Sequence, residues 1–335
     1  MSALSDVAKM ADVSPATASR ALSGRGYVAE ETRNRVVAAA AEMGYLGSPV
    51  AFGASEASRS VGVVVPHIGR WYFGRVLEGI ESALTEEGYE LILRRLPADP
   101  LERHRTFETL LLRRNVAAVI AVGIESGDDV ASLVHSLDRP FVAVGGTVKG
   151  AAGISIDDRS ASELITGHLV SLGHERILHL GADPTEDADF GVHALRLAGF
   201  RDAMRDADLE HAGTTMTTEL SIPGGYTAGL AVLADPRSRP TAIAAGSDEI
   251  AIGVIVAARQ LGIAVPEQLS IIGIDGHELA DMFSLTTLAQ DPVGQGSQAV
   301  RRVLGERGDS APEWKEHPVH LEVRGSTRAP LVPLR

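Results

Sequence analysis

Hydrophobic positions recur along this chain with two different periods, and the change between them divides it. Up to about residue 45 the apolar residues are small and fall at near-helical spacing: Val7, Ala8, Ala11, Val13 and Ala18 suit a compact pair of short helices. A third helix is predicted from Glu30 to about Gly44, with acids in its first turn where the helix dipole favours them. From Val61 the pattern becomes unbroken apolar runs separated by amphipathic stretches. VGVVV (61–65), ELILRRL (90–96), VAAVIAV (116–122) and PFVAV (140–144) form one series. RILHLG (176–181), TAIAA (241–245) and LSIIGID (269–275) form a second. Such Val/Ile/Leu runs between amphipathic helices predict α/β architecture, with parallel sheets covered on both faces. Two series in tandem predict two similar doubly wound lobes with a cleft between them. Between the two regimes, LGSPVAFGASEASRS (46–60) reads as a linker. The expected division is therefore an all-α headpiece over residues 1–46, a hinge over 47–60 and a two-lobed core over 61–335.

The headpiece reads as a helix-turn-helix. Asp12 falls where the chain must turn, and Asp tolerates the left-handed region. Ser14 is a good N-cap, and Pro15 follows at the first helical position, where its missing N–H costs nothing. The second helix, from about Ser14 to Leu22, then presents Ser14, Pro15, Ala16, Thr17, Ser19 and Arg20 as DNA-binding candidates near the end that faces base edges in such motifs. Pro15 and Ala16 offer bases no hydrogen bond, so discrimination there is apolar, with Thr17 and Arg20 supplying polar contacts. A purely structural helical domain is the competing reading.

Composition narrows the class. A length of 335 residues suggests two or three domains, and scarce aromatics (4%) with 35 glycines suit many short βα loops. The chain has no cysteine, which excludes a disulfide framework and thiolate metal sites and fits a reducing cytoplasm. No apolar run reaches membrane-spanning length and no signal-like N-terminus appears, so a cytoplasmic protein is expected. The net charge of −13 is unevenly placed. Residues 1–59 carry six basic and six acidic groups, so all the excess acid lies downstream. A neutral headpiece gains little from phosphate neutralisation, and a homodimer offsets this through effective concentration.

The motifs carry a resemblance. DVAKMADVSPATASRALS, VAEETRNRV and MGY match the headpiece pattern of the lactose/galactose repressor (LacI/GalR) family. In the core, Ile80 in RVLEGIE, ISIDD (154–158), HLVSLGHERILHLG (168–181), RLAGF (196–200), GSDEIAIG (246–253), GIDG (273–276), TTLAQD (286–291) and RGST (324–327) extend the match over essentially the whole chain. The resemblance implies a periplasmic-binding-protein fold with three crossovers, its N-lobe about 61–158 plus a stretch after Asp291. It implies a homodimeric repressor of double-stranded operator DNA, controlled by a small-molecule effector between the lobes, with no cofactor. A sugar or glycoside is the favoured effector and a nucleoside the second, with a protein co-effector as a further alternative. Tyr27, Ala51 and Phe52 join the DNA-binding candidates. In the family a hinge leucine wedges into the minor groove; Ala54 stands there in this chain, and Phe52 is the bulky side chain available for insertion. A second departure is Gly145-Gly146, where sugar-binding members often carry an Asp.

Ligands of open parallel sheets bind beyond the carboxyl ends of the strands, which selects candidate effector contacts. After the first strand come His67 and the aromatic run Trp71-Tyr72-Phe73, where Trp71 or Tyr72 suits a half-exposed cleft wall. Packing of Phe73 and one neighbour at a helix start is the plainer alternative. Glu125 follows the strand 116–122. Asp275 ends a strand and accepts bonds from hydroxyls, or else caps the next segment. Arg196 corresponds to an arginine that reaches the ligand in the family, or else is a solvated helix arginine. Ser247 suits a ligand contact, with Asp248 as the cap of the following helix. His174 corresponds to a structural hydrogen-bonding residue of the family. Enzyme signatures are missing: no phosphate-binding loop, nucleophile elbow or HExxH is present, and His317 and His320, three apart on an expected strand, point to opposite faces. No metal is expected. Two rival classes share the core pattern, a solute-binding protein and a doubly wound enzyme; the headpiece opposes the first and the missing phosphate loop the second.

Overall fold

A computed structural model describes residues 4–23, 28–43, 59–97, 99, 101–102, 105–106, 116–124, 139–183, 191–305 and 314–331. The chain divides into two compact units, Met1–Arg59 and Ser60–Arg335.

The first unit holds α1 (Leu4–Met10), α2 (Pro15–Ser23) and α3 (Glu30–Glu42). Val7, Ala8, Ala11, Ala18, Ala21, Val36, Ala39 and Ala40 are buried together, and their small size lets three short helices meet closely. Asp12 adopts φ 52° in the turn between α1 and α2. The Ser14 Oγ accepts from the Thr17 N–H at 3.1 Å, closing the first turn of α2. Both features are those the sequence predicts. Tyr27, Ala51, Phe52 and Ala54 lie outside the described residues.

The second unit contains two parallel sheets. The N-lobe sheet comprises β1 (Ser60–Val65), β2 (Glu90–Arg95), β3 (Ala118–Val122), β4 (Phe141–Val144), β5 (Ala152–Ser155) and β11 (Trp314–Glu316). Its order is β11-β5-β4-β3-β1-β2, parallel throughout, with Val63 level with Ile120. The C-lobe sheet comprises β6 (Ile177–Gly181), β7 (Thr214–Thr217), β8 (Ala242–Ala245), β9 (Ser270–Asp275), β10 (Thr286–Ala289) and β12 (His320–Glu322). Its order is β12-β10-β9-β8-β6-β7, with only β12 antiparallel. All seven predicted runs are strands; β5, β7, β10, β11 and β12 are additional.

Helices cover both sheets. In the N-lobe, α4 (Trp71–Glu86) buries Phe73, Val76, Ile80, Ala83 and Leu84 against β1 and β3, at the three- and four-residue steps of one helical face. Beside it runs α9 (Pro292–Gly305), and the two backbones touch. A Cβ at Gly79 would overlap the Val293 carbonyl, and one at Gly296 would overlap that of Val76. In the C-lobe are α5 (Asp158–Ser171), α6 (Gly191–Asp206), α7 (Ile222–Leu233) and α8 (Asp248–Gln260). The chain passes between the lobes three times, at 156–157, 290–291 and 317–319. His317 and His320 therefore flank the third crossover instead of sharing one strand, since the His317 N–H bonds back to the Ser155 carbonyl at the edge of the N-lobe sheet. His174 ties C-lobe segments together, its Nδ1 3.0 Å from the Thr241 Oγ1 and its Nε2 2.8 Å from the Arg328 carbonyl oxygen.

Candidate functional site

The carboxyl ends of β1, β4, β5, β8, β9 and β10 converge between the lobes on a cleft with about 590 Å³ of empty space. The N-lobe wall is built by the start of α4, which brings Arg70, Tyr72 and Phe73, and by Gly145 after β4. Opposite stand Asp158, His193, Arg196, Ser247, Glu249 and Asp275, with Gln290 from a crossover.

Arg196 organises the polar floor. It is buried, and both its Nε and its Nη2 lie 2.8 Å from the Asp158 Oδ1. A third bond runs from its Nη1 to the Gly246 carbonyl. Burial alone would lower its pKa, but the carboxylates of Asp158 and Asp275 outweigh that and hold it above the ordinary value. A guanidinium this constrained presents a fixed edge, because its rotamers are already spent.

Asp275 ends β9 with φ 135°, a region an L-residue enters only when its surroundings impose it. Its Oδ1 accepts from the Gln290 Nε2 at 2.8 Å. The Gln290 Oε1 accepts from Gln295 at 2.9 Å, and the Gln295 Oε1 accepts from the Tyr72 hydroxyl at 2.8 Å. One chain of directed bonds thus runs from the N-lobe wall to the C-lobe carboxylate. Burial pushes the Asp275 pKa up to about 6, with Arg196 and Gln290 opposing. The Tyr72 phenol is also raised by burial and stays neutral. Its hydroxyl occupies the space a side chain would fill at Gly145, since a Cβ there would overlap it.

Two further groups shape the cleft. Glu249, in the first turn of α8, is raised to about 7 by burial and by Asp275, against the pull of Arg70. His193 is lowered to about 3 by burial and by Arg196 and Arg70, so its imidazole is neutral.

The predicted candidates separate. Tyr72, Arg196, Ser247 and Asp275 all line the cleft. Trp71 does not: its indole stacks on His277 with centroids 4.8 Å apart and planes at 24°, joining the start of α4 to the turn after β9. His67 packs against Phe73 at a centroid separation of 6.0 Å and also falls outside the cleft lining. The correction at Trp71 has a helical cause, whereas His67 lies four residues before α4 begins. The first turn of a helix aims successive side chains about 100° apart, so Trp71 and Tyr72 face different neighbours. Glu125 lies outside the described residues. The cap of α8 is Ser247 and not Asp248: the Ser247 Oγ accepts from the Ile250 N–H at 3.3 Å while the residue still lines the cleft. Asp248 is buried instead, its Oδ2 accepting from the His277 N–H at 2.8 Å and the Thr287 hydroxyl at 2.9 Å. Arg70, Asp158, His193, Glu249 and Gln290 were not anticipated as cleft residues. Asp158, Glu249 and Gln290 do fall inside the family motifs, Asp158 and Gln290 just beyond strands too short to stand out.

In the headpiece, Pro15, Ala16 and Arg20 are exposed while Thr17 and Ser19 are half-buried along α2. The Arg20 Nε donates to the Ala16 carbonyl at 3.2 Å, and the Ser14 and Thr17 hydroxyls lie 2.9 Å apart. Among the described residues no cluster of His, Asp and Glu is placed to hold a metal ion, and no helix is long and apolar enough to cross a membrane.

A helix-turn-helix headpiece followed by a binding-protein-like core with a polar cleft defines a DNA-binding regulator with an effector domain. Comparison with known proteins agrees. Residues 3–48 match the profile of bacterial regulatory proteins of the lacI family, and residues 166–327 match a periplasmic binding protein-like domain. The HTH-type transcriptional repressor PurR of Klebsiella pneumoniae is 31% identical over the full length of both chains. The lac repressor dimer bound to operator and the anti-inducer ONPF superposes with a TM-score of 0.77 at 25% identity, covering 98% of this chain and 99% of that one. A LacI-family regulator from Enterococcus faecium with bound ribose superposes with a TM-score of 0.71 at 26% identity, covering 81% of this chain and 99% of that one. The chain belongs to the lacI family of bacterial regulatory proteins. It is a DNA-binding transcription regulator and not an enzyme.

Proposed function

We propose that this chain is a homodimeric repressor whose operator affinity is set by a sugar bound between the lobes of its core. The observation that carries the sugar reading is the buried Asp275 facing the Arg196–Asp158 pair across the cleft floor. A carboxylate offers about four acceptor sites. The bonds to Asp275 from Gln290 and the Asp248 backbone leave capacity for ligand hydroxyls. Arg196 supplies donors, and Tyr72 and Phe73 supply apolar area for the C–H face of a ring. The ribose bound to the Enterococcus faecium regulator supports this class. The nucleoside alternative loses one stacking surface, since the Trp71 indole is committed to His277.

On the DNA side, α2 enters the major groove, with Pro15 and Ala16 against apolar base edges and Arg20 released from its own helix to reach a base or phosphate. The lac repressor dimer bound to operator supports this arrangement. The effector acts by population shift, binding one degree of lobe closure more tightly than another.

Calorimetry on the full chain with ribose, glucose, maltose, cellobiose, adenosine and guanosine tests the first half. A sugar is expected to bind, and Asp275→Asn to weaken it by roughly tenfold or more, the range for a hydrogen bond to a charged group. Binding of nucleosides alone, or sugar binding indifferent to Asp275→Asn, would sink the proposal. For the second half, an operator is selected from random duplexes and measured by fluorescence anisotropy. Arg20→Ala is expected to abolish operator binding and leave sugar binding intact.

A further inference from the structure

A second cavity, with about 640 Å³ of empty space, adjoins the cleft: Ser155, Ile156, Asp158 and Val192 line both. Two elements divide their side chains between them. On α6, Val192 stands at the seam, Arg196 faces the first cavity and Leu195 the second. After β5, Asp158 belongs to both and Asp157 to the second alone.

What distinguishes the second cavity is Trp314. It lies on the edge strand β11, level with Gly153 of β5. Its indole lies across that glycine so closely that any Cβ at position 153 would overlap the ring. Covering a glycine on a neighbouring strand is a sheet-stabilising role by itself. Yet the side chain remains 37% exposed in a chain with only two tryptophans, and it forms part of a cavity wall. Around it stand Leu195, the carboxylates of Asp157 and Glu316, and the Thr147 side chain. Asp157 is the N-cap of α5, its two oxygens accepting from the Ser160 N–H at 3.0 Å and the Ser160 hydroxyl at 2.7 Å, which fixes the carboxylate and leaves it acceptor capacity. An aromatic face with acceptors at its rim suits a pyranose, whose C–H face lies on the ring while its hydroxyls reach outward. The two cavities share Ser155, Ile156, Asp158 and Val192 along their boundary, so a ring seated in one lies next to a ring seated in the other.

We infer that the second cavity is a subsite for another sugar ring, with Trp314 as its platform, so that the effector is a disaccharide or longer glycoside. This rests on the sugar reading of the first cavity. The inter-ring linkage would pass the Ser155–Asp158 segment, where the chain crosses between lobes, which places the ligand against the hinge itself.

Trp71→Phe leaves Trp314 as the sole tryptophan and keeps a ring against His277, so emission excited selectively reports on the subsite. This variant is titrated with glucose, galactose, ribose, maltose, cellobiose, lactose and choline, with calorimetry in parallel. At least one disaccharide is expected to shift the Trp314 emission and to bind more tightly than its component monosaccharides. Trp314→Ala should weaken that disaccharide by roughly tenfold, in line with the loss of a large aromatic contact. The monosaccharide should stay within about twofold, because the sites are separate. Trp314→Tyr should recover most of the loss, and Leu195→Arg should obstruct the subsite while leaving the platform in place. Disaccharides no tighter than monosaccharides, or a Trp314→Ala effect equal for both, would overturn the subsite while the sugar reading stands. Binding of no sugar at all removes both readings together. A response of Trp314 to choline alone makes the cavity a cation site and overturns the proposal.

Discussion

Asp248 has no exposure to water, and its carboxylate is pushed up to about 7 by burial and by the neighbouring Asp275. A Cβ at Gly273 would overlap its other oxygen, so the packing there leaves no room for rearrangement. Its titration has a definite sign. Asp248, Glu249 and Asp275 are all raised, to about 7, about 7 and about 6, so each stabilises the fold fully below its ordinary value and loses that contribution as pH rises through the shifted one. His179 and His193 act oppositely: lowered to about 4 and about 3 by burial, they make stability rise with pH until the ordinary value of 6.5. Above pH 6.5 the histidines have finished and the carboxylates have not. The core's unfolding midpoint is therefore expected to fall between pH 6.5 and 8, measured by urea titration at fixed ionic strength. Asp248→Asn should flatten much of that fall; an unchanged slope would contradict the assignment. None of this was legible in the chain, because it depends on which carboxylates the fold brings together. Position in a motif suggested a cap at Asp248, but the cap fell to Ser247 because only the residue before the first helical turn has its side chain beside the orphan amides.

At the scale of elements, legibility followed length and burial. Runs such as VGVVV stood out because β1 is buried along five consecutive residues. TTMT of β7 and the three-residue β11 and β12 did not, since they lie at sheet edges and carry polar or exposed residues. A close-packed helix pair was equally hidden. Contact between α4 and α9 depends on Gly79 and Gly296, which are 217 positions apart and read locally as helix-weakening residues. Each compensates for that weakness by letting two backbones approach. Gly296→Ala is expected to destabilise the core by about 2 kcal/mol or more, the range of overpacking in a dense interior, although alanine raises helix propensity. Chemical denaturation checks this, and a stabilised variant would show that the helices have room to separate.

Across the whole molecule, the lobes of the core meet through contacts distinct from the cleft surface, above all the Trp71–His277 stack. A ligand that prefers the closed arrangement binds with an apparent affinity reduced by the fraction of molecules that are open. Trp71→Ala should therefore weaken effector binding without removing a cleft residue, and Trp71→Phe should largely preserve it. Calorimetry on both variants makes the comparison, and equal affinities would show that the stack does not bias closure. Topology has a further consequence during synthesis. The N-lobe core needs Ala299, Val300 and Val303 from α9, and its sheet ends with β11 at Trp314–Glu316; the C-lobe sheet needs β12 at His320–Glu322. Neither lobe has its full set of elements until nearly all of the chain has left the ribosome. The headpiece has all three helices by Glu42. A nascent or prematurely terminated chain thus carries a complete reading head on an unfinished sensor.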